Sequence, residues 1–452
     1  MARSILAAVR EIKSEVAQFL SPEIIRGACD TIGHVWRERV LDPVTTVHLF
    51  VLQILHGNTA CSHVPRLGDV PCSGEAYCQA RQRLPLRVLR YLLRALSLHL
   101  AASPMLDEGR WHGHRTFLVD GSSVSMPDTP ELQKEFGQPG AQKPGCGFPV
   151  MHLLAMFHAT TGFLLSVAAA PLRTHDMSRI GQVHPDLAEG DVLVGDRAFC
   201  SFAHLALLLA RKVHGVFRVH QKQIVDFRCH RRHATKQSRK RGEKNLPTSR
   251  WLKRLGKHDQ LVEYVKPKRR PVWMTDAQYA ALPETVTVRE LRFTISQRGC
   301  RTRVITLATT LLDSELYPAA DLAELYGQRW QIETNFRHLK QTLKMDVLRC
   351  KTVEGVQKEL TMYALVYNLV RVVMLEAVRR QDVAVDRISF IDAVRWLADA
   401  IYGLAELKLR LIPDRPGRVE PRAVKRRPKE YNRLNQPRDV LRKRLLGKKV
   451  AA

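Results

Sequence analysis

Acidic side chains are what this 452-residue chain has too few of: 44 Asp and Glu stand against 72 Lys and Arg, a formal net charge of +28. Such a deficit leaves the surface attractive to polyanions, with nucleic acid the first partner it suggests and an anionic membrane surface the second. Cysteine spacing of a useful kind is also missing. The nine cysteines are odd in number and scattered, with no C-x-x-C pair, so reduced thiols are expected rather than a disulfide framework. Neither Cys61, His63, Cys72 and Cys78 nor Cys229, His230 and His233 has a standard zinc-ligand spacing. No continuous apolar stretch opens the chain, so no signal peptide is expected. Uninterrupted apolar runs of membrane length are absent as well. Residues 150–172 are broken by His152, His158 and Thr160-Thr161-Gly162, which reads as a buried β-hairpin; residues 360–377 carry Asn368, Arg371 and Glu376, which suits a core helix. These absences point away from a membrane partner and toward a cytoplasmic, nucleoid-associated protein. No internal repeat or low-complexity tract stands out.

What is present is an ordinary globular composition, 45% apolar and 26% charged, in a chain long enough for two or three domains. Residues 1–104 read as helical, and Arg81, Arg83, Arg87, Arg90 and Arg94 give them a basic side; this suits either DNA-binding helices or a solvated face. From 105 the pattern turns to short β runs. Thr116 to Val119 is a strand delivering Asp120. A hairpin follows at 150–170, then a helix near 176–188 and a strand, Asp191 to Gly195, delivering Asp196. A helix at 201–212 and a strand at 215–219 complete an α/β sheet up to residue 220. Acids at strand ends in such sheets commonly face a site. Residues 221–300 form a basic, β-rich insertion, 301–410 return to the α/β pattern with a strand at 303–309, and 411–452 are a polar, basic tail broken by prolines.

The stretch Tyr326 to Lys340, YGQRWQIETNFRHLK, carries the chemistry. On a helix, Tyr326, Arg329, Glu333 and Lys340 share an arc of about 60°, beside a stripe of Leu325, Ile332, Phe336, Leu339 and Leu343 that would dock on a core. On spacing alone, Arg329–Glu333 could equally be an i,i+4 surface ion pair. Competing acids drop out on geometry: Asp191 begins the strand that Asp196 ends, about 16 Å away, and Glu324 falls on the wrong side of the helix. Asp120, Asp196 and Glu333 are three hard oxygen donors from separate elements, a set that suits Mg²⁺. Two such ions about 4 Å apart can activate an attacking oxygen and stabilise a leaving one. Arg329 and Lys340 can then bind flanking phosphates, and Tyr326 can hydrogen-bond a phosphate or stack on a sugar or base.

The spacing Y-x2-R-x3-E-x6-K, met without a gap by Tyr326, Arg329, Glu333 and Lys340, resembles the signature of one branch of the DDE-type transposases of bacterial insertion sequences. LVDGSSVSMPD around Asp120 and GDRAFCS around Asp196 resemble that family's first and second aspartate blocks. The likeness spans roughly residues 30 to 375. It implies a helical N-terminal DNA-binding domain and a ribonuclease-H-like catalytic core with a β-rich insertion before the glutamate helix. It also implies two Mg²⁺ ions (Mn²⁺ substituting) on Asp120, Asp196 and Glu333, with cleavage at terminal inverted repeats and strand transfer into target DNA. The partners implied are double-stranded DNA and a second copy of the chain in a synaptic complex. A tryptophan of the insertion is expected to stack on a flipped base; Trp251 and Trp273 both qualify, and Trp273 is preferred because it opens the better-ordered half. A DNA-binding protein that has lost transposition, or a nuclease that cuts without joining, remain open alternatives.

Overall fold

The computed structural model describes residues 20–102, 109–231, 246–294, 304–398, 407–413, 434 and 436–449. The basic runs at 238–241 and 425–427 lie outside the described residues, as does His233. Five helices open the described chain: α1 Pro22–Ile32, α2 Pro43–Leu55, α3 Val64–Leu67, α4 Gly74–Arg83 and α5 Leu86–Ala102; α6 Pro130–Phe136, α7 Phe202–Ala210 and α8 Asp276–Ala280 follow among the strands. Three of these first five start on capping chemistry, since the side chains of Ser21, Asp42 and Ser73 accept from Ile24, Thr45 and Ala76 N–H groups. The arginines read as a basic side divide here. Arg83 and Arg87 are exposed. Arg81 is largely buried, with its guanidinium 3.8 Å over the Phe50 ring and donating to Gln53. Arg90 and Arg94 hydrogen-bond Gln357 and Asp186, and Arg81 also donates to Cys350 Sγ at 3.2 Å, so three of the five arginines hold the helices onto the rest of the molecule.

The centre is a nine-stranded mixed sheet in the order β3-β2-β1-β4-β5-β9-β8-β7-β6. The strands are β1 Thr116–Ser125, β2 Val150–His158, β3 Leu164–Pro171, β4 Val192–Gly195, β5 His214–Arg218, β6 Thr248–Gly256, β7 Asp259–Val265, β8 Thr285–Thr294 and β9 Val304–Thr309. Only β1–β4 and β4–β5 pair in parallel; every other pairing is antiparallel. Strand β4 is buried at every position, Val-Leu-Val-Gly, as a strand covered on both faces must be. The strands of the basic insertion extend this same sheet through β8 and β9. Their outer edge, β6, carries Arg250, Lys253 and Arg254 and two register shifts, features that discourage pairing with another strand.

Three expectations about local structure change. First, β1 does not stop at Asp120 but runs on to Ser125, because β2 keeps pairing with it through Ser125↔Val150; only the parallel ladder with β4 ends, at Val119↔Gly195. Second, residues 176–188 are three short 3₁₀ turns, Asp176–Ser178, Ile180–Gln182 and His184–Asp186, where Gly181 and Pro185 interrupt any longer helix. Third, the glutamate segment is helical throughout but not one α-helix. It runs as α9 Ala319–Gly327, a 3₁₀ turn Gln328–Trp330, α10 Gln331–Arg337 and a π turn His338–Thr342. Gly327 keeps helical angles, φ −57° and ψ −38°, and a Cβ there would meet nothing within 4 Å, so its only cost is entropic.

Behind the sheet runs α11, Val353–Gln381. It is long and apolar enough to cross a membrane, yet 89% of its most apolar window is buried inside the protein. Helices α2 and α5 pack on it, and one hydrophobic cluster extends from Leu20 through the sheet to Leu409. The docking stripe expected on the glutamate segment is buried: Leu325, Ile332, Phe336, Leu339 and Leu343 are each less than 9% exposed.

Candidate active site

The parallel ladder brings the first two acids together. Thr116 to Val119 pair with Val192 to Gly195, and Val192 to Gly195 pair with His214 to Phe217. The next residues along the chain are Asp120, Asp196 and Arg218, which stand in neighbouring backbone positions at the C-terminal edge of this ladder. Asp196 leaves β4 in a tight turn, with Oδ1 accepting from the Ala198 N–H at 2.7 Å. Asp120 Oδ1 accepts from the Gly121 N–H at 2.8 Å. Burial, and then the facing Asp196 carboxylate, push the Asp120 carboxyl up to about 6 from an ordinary 3.8, against the opposing pull of the Gly121 N–H and Arg329.

The glutamate segment lies across this edge. Arg329 reaches two of the acids: Nη1 lies 3.6 Å from Asp120 Oδ2 and Nη2 lies 3.8 Å from Glu333 Oε1. Its side chain is only 12% exposed, whereas that of Glu333 is 56% exposed. The i,i+4 ion pair read from spacing therefore exists, but as half of a bridge joining the third acid to the first. Lys340 stands in the π turn and donates to Ser122 Oγ at 3.3 Å, two residues beyond Asp120 on the same strand face. Burial lowers its ammonium pKa. Tyr326 is 4% exposed and its ring belongs to the docking seam; burial pushes its phenol up, against nearby Arg329 and Arg218. Thus Asp120, Asp196, Tyr326, Arg329, Glu333 and Lys340 share one locality.

Trp273 is placed differently. It sits between β7 and the short helix α8 Asp276–Ala280, partly buried and packed against the core. Trp251 lies on the edge strand β6 with His230 tilted against it, ring centroids 4.7 Å apart. The tryptophan the structure sets beside the acids is Trp330, which is 56% exposed with the Arg329 guanidinium 4.8 Å over its ring.

Four residues near the acids carried no warning in the sequence. Arg218 was visible only as the residue after a strand, and its significance depends on strand register. Ser122 and Trp330 stand inside the quoted motifs without a signal of their own. Asp176, joined to His152 Nε2 at 2.6 Å, comes so close to β1 that a Cβ at Gly121 would lie 2.3 Å from its Oδ1. Glycine at 121 is thus required by close approach.

Among the described residues, no group of three or more His, Cys, Asp or Glu side chains converges tightly enough to hold an ion. The donor chemistry nonetheless fits a divalent cation. Two carboxylates face each other on adjacent strands, one of them destabilised as an anion, and a cation between them would relieve both burial and repulsion.

The transposase DDE domain family matches residues 111–369, more than half of the chain. Transposase InsG for insertion sequence element IS4 from Escherichia coli (strain K12) is 26% identical over 453 residues, 94% of each chain. A cryo-EM structure of the piggyBac transposase synaptic complex with hairpin DNA overlays on 87% of this chain and 79% of its own, with a TM-score of 0.42 and 12% identity. With its two aspartates abreast on parallel strands and its glutamate carried across them, the chain belongs to the DDE transposases.

Proposed function

We propose that this transposase cuts DNA at the terminal inverted repeats of its own insertion sequence by two-metal phosphoryl transfer and joins the freed ends to target DNA, on a ribonuclease-H-like core. The observation that carries the reading is the register Val119↔Gly195, which sets Asp120 and Asp196 side by side beneath the Arg329–Glu333 pair. Asp120 and Asp196 would hold Mg²⁺ (or Mn²⁺), with Glu333 completing the donor set. Bound there, the ions supply Lewis acidity at the attacking and leaving oxygens. Arg329, Lys340 and Arg218 bind the phosphates flanking the scissile bond; Arg329, bridging Asp120 and Glu333, also offsets the repulsion between the acids before DNA arrives. Trp330 offers an exposed ring on which a sugar or base can stack. The buried Tyr326 supports Arg329 from below. Two ends must be joined, so two copies of the chain act together on double-stranded DNA.

The test incubates the full chain and Mg²⁺ with duplex DNA carrying the inverted repeats that flank its coding region. Wild type should cleave at the element ends, and Asp120→Ala and Glu333→Gln should not. Equal background cleavage by all three proteins would sink the assignment. Joined product in the presence of target DNA separates transposition from cutting alone.

A further inference from the structure

A buried carboxylate outside the acid triad organises the same region. Glu359, on α11, is fully buried. Both of its oxygens accept from the Arg349 N–H, at 2.9 and 3.0 Å, and one accepts from the Cys350 N–H at 2.9 Å. Asn58, from the loop after α2, donates its side-chain amide to the same carboxylate. A buried carboxyl group that accepts from two backbone N–H groups and a side-chain amide ties three segments together at one point.

The loop it holds leads to Lys340. Leu348 N–H donates to Ser125 O at 2.9 Å, and Ser125 N–H donates to Asp346 O at 3.0 Å, which lays residues 346–348 beside the end of β1 as a short parallel bridge. Asp346 N–H in turn donates to the carbonyl of Lys340 at 3.3 Å. A continuous set of bonds therefore runs from Glu359 through 346–350 to the backbone of Lys340 and to β1, the strand that carries Asp120 and Ser122. Tyr363, one turn along α11, adds a hydrogen bond to Lys344 O at 3.1 Å.

We infer that Glu359 is a positioning residue for the reaction: it fixes the 346–350 loop so that Lys340 stays docked at Ser122, and through Asn58 it ties the N-terminal helices to that geometry. The inference rests on the function proposed above for Lys340. Glu359→Gln conserves shape but leaves one acceptor oxygen where there were two, so the Arg349 and Cys350 N–H groups and the Asn58 amide lose an acceptor between them and the hold on the loop weakens.

Two measurements on the full chain test this. In hydrogen exchange, Glu359→Gln should lose protection at the amides of residues 346–350 while α11 and the sheet stay protected. In cleavage of the flanking-repeat duplex with Mg²⁺, Glu359→Gln should slow the rate by about ten- to a hundredfold, the range for loss of an outer-shell support. In a Lys340→Ala background the same substitution should cost less than about twofold, because it acts through Lys340. Lys358→Met provides the structural control: Lys358 donates to the carbonyls of Arg81 and Gln82 on the neighbouring helix, so its effect should add fully to that of Lys340→Ala. Unchanged exchange at 346–350, or an undiminished effect of Glu359→Gln in the Lys340→Ala background, would overturn the inference. A wild-type chain that does not cleave refutes the proposed function instead, and the exchange result then still decides whether Glu359 holds the loop.

Discussion

Replacing Asp120 should make the protein more stable in the absence of divalent cations, and the pH dependence of that gain identifies the cause. Asp120 is pushed from 3.8 to about 6 in the folded chain, first by burial and then by Asp196. Each tenfold change in proton affinity is worth about 1.4 kcal/mol, so ionising this carboxyl in the folded state costs about 3 kcal/mol more than in the unfolded state. The folded chain binds the extra proton between about pH 4 and 6, so stability falls as pH rises through that window and the full cost is present above it. Asp120→Asn keeps an oxygen for the Gly121 N–H and removes the charge, but it also gives up the attraction of Arg329 at 3.6 Å. The net gain should be about 1–3 kcal/mol at pH 8 and should vanish near pH 4. Urea unfolding of the two proteins in chelator at both pH values measures it. Mg²⁺ should then raise the wild-type midpoint and leave Asp120→Asn unmoved, since a ligand stabilises only the state that binds it. A gain of equal size at pH 4 and pH 8, or none at pH 8, would refute the reasoning that burial and the apposed aspartate hold Asp120 in a costly state.

Other outcomes follow from the same geometry. Gly121→Ala drives a methyl onto the Asp176 carboxylate and should destabilise the fold by about 1–3 kcal/mol while slowing cleavage; a variant as stable and active as wild type would show that Asp176 moves aside freely. Arg218→Ala should reduce the slope of log affinity for DNA against log salt by about one contact's worth, about 0.9, and an unchanged slope would remove Arg218 from the phosphate contacts. The stacked pair His184–His204, with Nε2 atoms 3.1 Å apart, is held down by burial to about 4 and about 3. The unfolded chain therefore takes up protons first as pH falls below about 6.5, and stability should drop there. His204→Phe should flatten that acid limb, which urea midpoints between pH 7 and pH 5 would reveal.

The primary structure by itself determined which residues could do chemistry. An excess of positive charge named the class of partner, and short apolar runs ending in aspartate named Asp120 and Asp196. The spacing from Tyr326 to Lys340 placed a carboxylate and two cations on one helical face. All of these are local properties, carried by periodicity and composition. Only the tertiary structure decided how they meet. Strand register depends on which strands pair, and that pairing put Arg218 beside the two aspartates and let β1 run on past Asp120. The glutamate segment docks its apolar seam while switching from α to 3₁₀ to π, a switch that no propensity at Gly327 or Lys340 foretells. Arg81 looked like a surface cation and is a buried one, because Phe50 and Gln53 approach it from another helix. Glu359, one of three glutamates in α11, gains its hydrogen bonds only because two backbone amides of the preceding loop and Asn58, distant in the chain, converge on it.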